Sequence, residues 1–223
     1  MGRVSSPKLP HAPPFHARYP VVMTPPAMTL IICPGIHSVA LSDRFIAALQ
    51  RQLQAHSPRL EPPRLQPTGL LPTQRYAPFS GFSVWSYLQT VAAPPLPLVL
   101  IGFSAGVAGA LAAAQLWQAQ GRTVAALIAI DGWGVPQLGD FPLHRISHDH
   151  FTHWSSALLG AGHDSFYADP PIAHLDLWQA PDRTSGWWLS EPAVPSSPVR
   201  TTAIAYLAQL LVQYGCGTQL ERL

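Results

Sequence analysis

The chain has 223 residues, enough for one domain with a sizeable core and short for two. Charged residues make up 11% of the chain and the formal net charge is +2, which is too small to indicate a nucleic-acid-binding surface. The two cysteines, Cys33 and Cys216, suggest neither a disulfide framework nor a metal-ligand cluster, and they favour a reducing, cytoplasmic location.

The first 27 residues differ from the rest of the chain. Residues 1–27 are rich in proline and have no hydrophobic periodicity. Proline removes backbone donors that helices and sheets use, and no apolar stretch follows the basic residues as it does in a signal peptide. We expect 1–27 to be a disordered extension, or the native start to be Met28, and 28–223 to be a single domain. No run of about 18 apolar residues predicts a transmembrane helix.

From Thr29 onward, short apolar runs alternate with segments of helical periodicity. Strands are predicted at 29–33, 97–103 and 124–131, with weaker ones at 63–68, 142–149 and 164–170. Helices are predicted at 41–55 with Ser42 as N-cap, and at 80–92, 105–121, 153–160 and 200–215. The Pro-rich stretch 175–197 is expected to be a loop. Continuously apolar strands alternating with helices predict an α/β fold, a mostly parallel sheet with helices on both faces.

The strongest motif lies where an apolar strand meets a small-residue helix, in LVLIGFSAGVAGALAAA at 98–114. Gly102, Ser104 and Gly106 form the pattern G-x-S-x-G, which places a serine on a sharp turn between strand and helix. Both glycines are needed because the strand and the helix approach each other closely. Backbone N–H groups at the start of the helix can face a developing oxyanion. A second Gly-Phe-Ser, ending at Ser83, lacks the second glycine and follows no predicted strand.

This segment resembles the nucleophile elbow of the α/β-hydrolase superfamily, and the order of elements resembles that superfamily from residue 29 to 215. The segment IICPGIHS, at 31–38, resembles its early strand and oxyanion loop. The resemblance implies that Ser104 is the nucleophile and that the N–H groups of Ala105 and Ile36 hold the oxyanion. It implies a shortened version of the fold, because the sequence before residue 28 offers no convincing first hairpin.

A serine nucleophile needs a neighbouring base, and an acid must orient that base. The superfamily's chain order is serine, acid, histidine. By this resemblance the preferred acid is Asp149, at the end of 142–149, where the superfamily usually places it. Asp131, at the end of 124–131, is the alternative. Either aspartate could instead bond its own turn backbone.

Five histidines between residues 148 and 174 compete for the role of base. His174 is preferred because it follows the predicted last strand and precedes the final helix, which is the superfamily's position. His163, in GAGHDSF, is the alternative because it resembles the Gly-x-Gly-His turn of many hydrolases. His148 and His150 flank the preferred acid, and His153 is expected to be exposed near a helix start. No spacing rule decides among them.

Three tryptophans lie in the stretch expected to be a loop: Trp178, Trp187 and Trp188. They either cover the core or form an apolar wall for an acyl group or an interfacial contact. Nine residues separate Asp131 from Phe141, where the superfamily usually inserts its lid, and that is too short for a helical cap. We therefore expect Ser104 in an open cleft whose approach is lined by Trp178 or by the Trp187–Trp188 pair.

These observations predict a serine hydrolase that cleaves a carboxylic ester or thioester through an acyl-enzyme. The apolar surroundings and few charges favour a small-molecule acyl substrate over a phosphorylated one. The sequence contains no phosphate loop, dinucleotide fingerprint or metal-binding His/Glu pair, so no cofactor or metal is expected. The alternative is a non-catalytic α/β-hydrolase-like binding or scaffold protein, because the sequence lacks a clear Gly-x-His signature.

Overall fold

The computed structural model describes residues 28–56, 69–92, 95–136, 138–160, 162–190 and 197–216. The strands in these ranges are β1 (Thr29–Cys33), β2 (Gly69–Leu70), β3 (Leu98–Phe103), β4 (Val124–Ile130), β5 (Leu143–Ser147), β6 (Ser165–Ala168), β7 (Ser185–Leu189) and β8 (Val199–Thr202). The helices are α1 (Val39–His56), α2 (Gly81–Val91), α3 (Ala105–Ala119), α4 (His150–Ala157), α5 (His174–Gln179) and α6 (Ala203–Gln213). The segments 1–27 and 63–68 lie outside the described residues.

The described strands form one sheet in the order β2-β1-β3-β4-β5-β6-β7-β8. The first six strands in this order, from β2 to β6, pair in parallel. The pairs β6–β7 and β7–β8 are antiparallel. Because the first six strands are parallel, their carboxyl ends meet at one edge, the usual location of functional groups in such sheets. The predicted α/β fold class is therefore confirmed.

Both faces of the sheet are covered by helices, which explains why its central strands β3 and β4 are continuously apolar. In β1, Leu30 and Ile32 face the side covered by α1, α5 and α6. Ile31 and Cys33 face the opposite side, covered by α2 and α3. Every residue of β1 is therefore removed from water on one face or the other, and burial of apolar surface on both faces stabilises the sheet.

Local signals account for several helix ends. Ser80 caps α2 by accepting a hydrogen bond from the N–H of Ser83, and Thr202 caps α6 by accepting one from Ala205. Gly121 follows α3 with a φ of +73°, a left-handed conformation that favours glycine. The predicted N-cap Ser42 is wrong: α1 begins at Val39, so Ser42 lies within the helix and is buried.

The stretch 175–197 is not simply a loop, as the sequence had suggested. It includes most of α5 and all of β7, which pairs with β6 and extends the sheet beyond the predicted last strand. The final helix begins at Ala203, because the residues just before it form β8. Between β4 and β5, by contrast, the described residues contain no helix, in agreement with the short link. No described helix has the length and apolar character needed to cross a membrane.

Candidate active site

Ser104 lies on the turn between β3 and α3 in a strained conformation. Its φ is +53° and its ψ is −122°, a region that residues with a side chain rarely occupy. The backbone N–H of Ser104 donates to the carbonyl of Ile130 on β4, at 2.9 Å, and so fixes the turn to the sheet. The structure therefore presents the Ser104 hydroxyl at the carboxyl edge, in the conformation that a nucleophile elbow requires.

The two glycines of the motif allow this turn to pack. A Cβ atom on Gly106 would lie 2.1 Å from the carbonyl oxygen of Cys33, and one on Gly102 would lie 2.8 Å from the Cα of Val107. Both contacts involve backbone atoms, which cannot rotate away as a flexible side chain can. A larger residue at either position would separate α3 from β1 or β3.

The predicted oxyanion loop lies against the serine. A Cβ atom on Gly35 would lie 3.0 Å from the Cβ of Ser104, so the segment that carries Ile36 touches the turn. Ala105 is the first residue of the 15-residue helix α3. In the described part of the chain, no backbone carbonyl accepts a hydrogen bond from the N–H of Ile36 or Ala105. An N–H group without a backbone acceptor is what the predicted oxyanion role of these two residues would require.

Asp131 follows β4 and is held in place by two histidines. Its Oδ1 accepts a hydrogen bond from the backbone N–H of His148 at 2.9 Å. Its Oδ2 lies 2.8 Å from Nδ1 of His148 and 2.8 Å from Nδ1 of His174. Burial opposes ionisation of this carboxyl, but the hydrogen bonds from the two histidines outweigh that effect and lower its pKa. Asp131 is therefore a buried carboxylate aimed at His174.

His174 is the first residue of α5 and stacks on the residue before the serine. The ring centroids of His174 and Phe103 are 4.8 Å apart, with an interplanar angle of 18°. With Nδ1 bonded to Asp131, the other ring nitrogen, Nε2, is left for a partner in the cleft. The Ser104 hydroxyl makes no capping hydrogen bond with α3. A hydrogen bond between a serine and its base often tightens only when substrate is bound.

One cleft of about 360 Å³ brings these groups together. It is lined by Ser104, Asp131, Trp133, His148, Phe151, Thr152 and His174. The volume is in the range that holds a small-molecule ligand. Trp133 and Phe151 are 65% and 64% exposed and form the apolar part of the wall. The indole N–H of Trp133 donates to the hydroxyl of Ser155 at 3.2 Å, which ties it to α4.

The preference for Asp149 over Asp131 is not supported by this geometry. Oδ1 of Asp149 accepts the backbone N–H of Thr152 at 2.6 Å, so the side chain caps α4. Its other oxygen lies 3.3 Å from Nε2 of His148. Asp131, on the strand next to the one that carries Ser104, makes the contact with His174 instead.

The alternative base, His163, lies far from the serine along the strand direction. Its Nδ1 accepts the backbone N–H of Leu143, at the start of β5, so it sits near the amino edge of the sheet. His153 is also away from the cleft, and the expectation that it is exposed is wrong. It is buried with Nε2 3.0 Å from the hydroxyl of Ser165, and burial lowers its pKa to about 4. Of the two candidate bases, only His174 lies with Ser104.

The expectation that these tryptophans line the approach to Ser104 is wrong, whereas the alternative, that they cover the core, holds for Trp178. Trp178 is 0% exposed and stacks on Phe45 at 3.7 Å, within the core. Trp187 and Trp188 lie on β7, and their indole N–H groups donate to the carboxylates of Asp169 and Asp164.

None of these three indoles lines the cleft with Ser104. Sequence reasoning missed the aromatic residues that do, Trp133 and Phe151. The sequence placed both residues near the carboxyl edge of the sheet. Trp133 lies in Gly-Trp-Gly directly after Asp131, and Phe151 lies at the start of α4, just after β5.

Asp131, His148 and His174 also form the one group of three metal-ligating residue types that the described residues bring together. Their facing atoms already hydrogen-bond with one another. Hydrogen bonds between a carboxylate and a histidine are typical of an acid that orients a base. We therefore assign no metal to these three residues.

No family model and no curated protein matches the chain. Among solved structures, the chain is similar to YbtT, described as a type II thioesterase from the yersiniabactin NRPS/PKS biosynthetic pathway. The identity is 15% and the TM-score is 0.44, and the similarity covers 86% of this chain and 95% of that one. A similarity of this extent assigns no residue role or substrate to the present protein.

Proposed function

We propose that this protein is a serine hydrolase that cleaves a carboxylic ester or thioester through an acyl-enzyme intermediate. One observation carries the proposal. A serine held at a φ of +53° shares a cleft with a histidine whose Nδ1 is 2.8 Å from a buried carboxylate. A serine hydroxyl is a weak nucleophile alone, and an oriented histidine is the group that activates it.

In the acylation step, Oγ of Ser104 attacks the carbonyl carbon of the substrate while Nε2 of His174 takes the hydroxyl proton. The Asp131 carboxylate holds the Nδ1–H of His174 and stabilises the imidazolium that forms. The N–H groups of Ala105 and Ile36 stabilise the negative charge on the carbonyl oxygen. The tetrahedral adduct then breaks its C–O or C–S bond, and His174 gives its proton to the departing alcohol or thiol.

Deacylation repeats these roles with water. His174 removes a proton from the water molecule as the water oxygen attacks the acyl carbon, and the same N–H groups hold the second oxyanion. The bond to Oγ breaks, Oγ recovers the proton from His174, and the carboxylic acid leaves.

The cleft supports an apolar acyl group as the substrate part that it binds. Trp133 and Phe151 supply its aromatic surface, and no lysine or arginine lines it within the described residues. An apolar chain against these rings is removed from water, which favours binding by about 0.8 kcal/mol for each buried methylene. A phosphorylated group would find no lysine or arginine there; the basic side chains among the described lining residues are His148 and His174, and both already contact Asp131.

The test is hydrolysis of p-nitrophenyl esters and of acyl thioesters by the wild type, Ser104→Ala and Ser83→Ala. We expect Ser104→Ala to lose several orders of magnitude in kcat. Ser83→Ala is the matched control and should stay active, because Ser83 lies within α2 and its hydroxyl accepts only the N–H of Ala77. Full activity in Ser104→Ala contradicts the proposal. A folded wild type without any hydrolysis favours the non-catalytic binding protein.

A further inference from the structure

His148 contacts the same carboxylate as the proposed base. Its backbone N–H and its ring Nδ1 lie 2.9 Å and 2.8 Å from the two oxygens of Asp131. The Nδ1 atoms of His148 and His174 therefore share one oxygen, Oδ2, and the two rings meet edge to face with centroids 6.0 Å apart. Proton abstraction by His174 does not require this second histidine.

The other side of His148 faces a second carboxylate. Nε2 of His148 lies 3.3 Å from Oδ2 of Asp149. A continuous line of polar contacts thus runs from Asp149 through His148 and Asp131 to His174. In the part of the chain that the structure describes, Asp149, which the sequence favoured as the acid, reaches the proposed base through His148 and Asp131.

We propose that His148 is a positioning residue that fixes the Asp131 carboxylate for His174 and, as a cation between Asp131 and Asp149, sets the acid limb of the pH–rate profile. The inference rests on the proposed function, because it concerns the rate of the same reaction. It adds a fourth side chain to the proposed arrangement of Ser104, His174 and Asp131.

The positioning part follows from the number of contacts. Two donors from one residue hold both oxygens of Asp131, which prevents rotation of the carboxylate about its Cβ–Cγ bond. Without the ring of His148, Oδ2 keeps only the contact with His174, and the carboxylate gains freedom to turn. If the Asp131 carboxylate turns, the His174 imidazole that it holds spends less time in the orientation needed to reach Oγ of Ser104.

The electrostatic part follows from the charges around His148. The titratable groups that face its ring are Asp131 at the end of β4, Asp149 at the start of α4 and His174 on α5. The hydrogen bond with Asp131 raises the pKa of His148, although burial acts against it. A positive His148 stands beside the proposed base, with the ring centroids 6.0 Å apart, and its charge disfavours the uptake of a further proton by this cluster of side chains at low pH.

Two variants separate these effects. His148→Ala removes the ring donor, while His148→Asn retains a side-chain N–H where Nδ1 was and cannot become charged. We expect His148→Ala to lower kcat by about 10- to 100-fold with KM within about twofold, the loss of one hydrogen bond to a charged group. We expect His148→Asn to recover kcat to within about threefold at its optimum, with an acid limb about 0.5 to 1 pH unit higher than in the wild type.

His150→Asn is the matched control, because His150 is an exposed neighbour on α4. It should leave kcat and the pH profile unchanged. Unchanged kcat in His148→Ala overturns the positioning role, and an acid limb in His148→Asn that is unmoved or lower overturns the electrostatic role. Thermal melts confirm that each variant is folded.

Labelling of the wild type by a fluorophosphonate distinguishes failure of this inference from failure of the proposed function. A wild type labelled at Ser104, together with unaffected His148 variants, overturns only the inference. A wild type without labelling overturns the proposed function and the inference with it.

Discussion

Nδ1 of His174 lies 2.8 Å from Oδ2 of Asp131, although the two residues are 43 positions apart in the chain. Asp131 ends β4, and His174 begins α5 after β6. The segment that leads to His174 is held across the end of β5 by the backbone N–H of Ile172, which donates to the carbonyl of His148 at 3.1 Å. The contact between His174 and Asp131 therefore depends on β4, β5 and β6 being neighbours in the sheet, with their carboxyl ends at the same edge.

The first prediction separates the two aspartates. Asp131→Asn should lower kcat by about ten-thousandfold, because an amide cannot stabilise the imidazolium and favours the wrong tautomer. Asp149→Asn should stay within about tenfold of the wild type, since asparagine still caps α4. Steady-state kinetics on one ester substrate measures both variants. A larger loss in Asp149→Asn than in Asp131→Asn would show that the acid is Asp149.

The second prediction concerns the elbow glycine. Gly106→Ala should abolish activity, because its Cβ would lie 2.1 Å from the carbonyl oxygen of Cys33 and push α3 away from β1. Gly121→Ala is the control. The positive φ there costs an alanine about 1–2 kcal/mol, but the added Cβ would have no other atom within 4 Å, and Gly121 lies at the far end of α3 from Ser104. Melting temperatures and esterase rates distinguish the two. An active Gly106→Ala would contradict the close packing of the elbow.

The third prediction assigns different roles to two tryptophans. Trp133→Ala should reduce kcat/KM for long acyl chains more than for acetyl esters, because Trp133 lines the cleft. Trp178→Ala should destabilise the fold by about 3–5 kcal/mol, since its side chain is fully buried. The measurements are a chain-length series of esters and chemical denaturation. Equal losses on all chain lengths in Trp133→Ala would exclude a contact with the acyl chain.

A fourth prediction follows from two buried histidines. Burial lowers the pKa of His144 and of His153 from 6.5 to about 4. The unfolded chain therefore binds protons at these positions before the folded chain does, and the free energy of unfolding falls as the pH drops from about 6.5 to 4. Melting temperatures across this range should decrease, and less steeply in His153→Gln. An equal slope in that variant would show that His153 takes up no proton on unfolding.

The parts of the fold that the sequence predicted are those with strong local signals. The strand at 29–33 was predicted to the residue, because both of its faces are buried and every position is apolar or β-branched. The strand at 185–189 was missed because two half-exposed tryptophans and a glycine do not form such a run. Its pairing with β6 comes from tertiary structure, as does that of β8. Helix α5 has only six residues, too few to show a periodicity.

The same distinction applies to the candidate site. The turn at Ser104 was predictable because its glycine requirement is encoded within five residues. The choice between Asp131 and Asp149 was not, since both lie at the end of a predicted strand. It depends on the φ of +51° at Asp131 and on the competing N–H of Thr152, which draws Asp149 toward α4. Aspartate is a common N-cap residue, so the sequence allowed this role for Asp149, but it allowed the same kind of turn contact for Asp131 and did not decide between them.

The central claim is that Ser104 is an activated nucleophile, and peptide mapping after fluorophosphonate labelling tests it most directly. The probe reacts only with an activated serine and needs no knowledge of the substrate. We predict one adduct per chain, on the peptide that contains Ser104, with labelling lost in Ser104→Ala and greatly slowed in Asp131→Asn. A folded protein that acquires no adduct, or acquires it at Ser83 or another serine, would contradict the account.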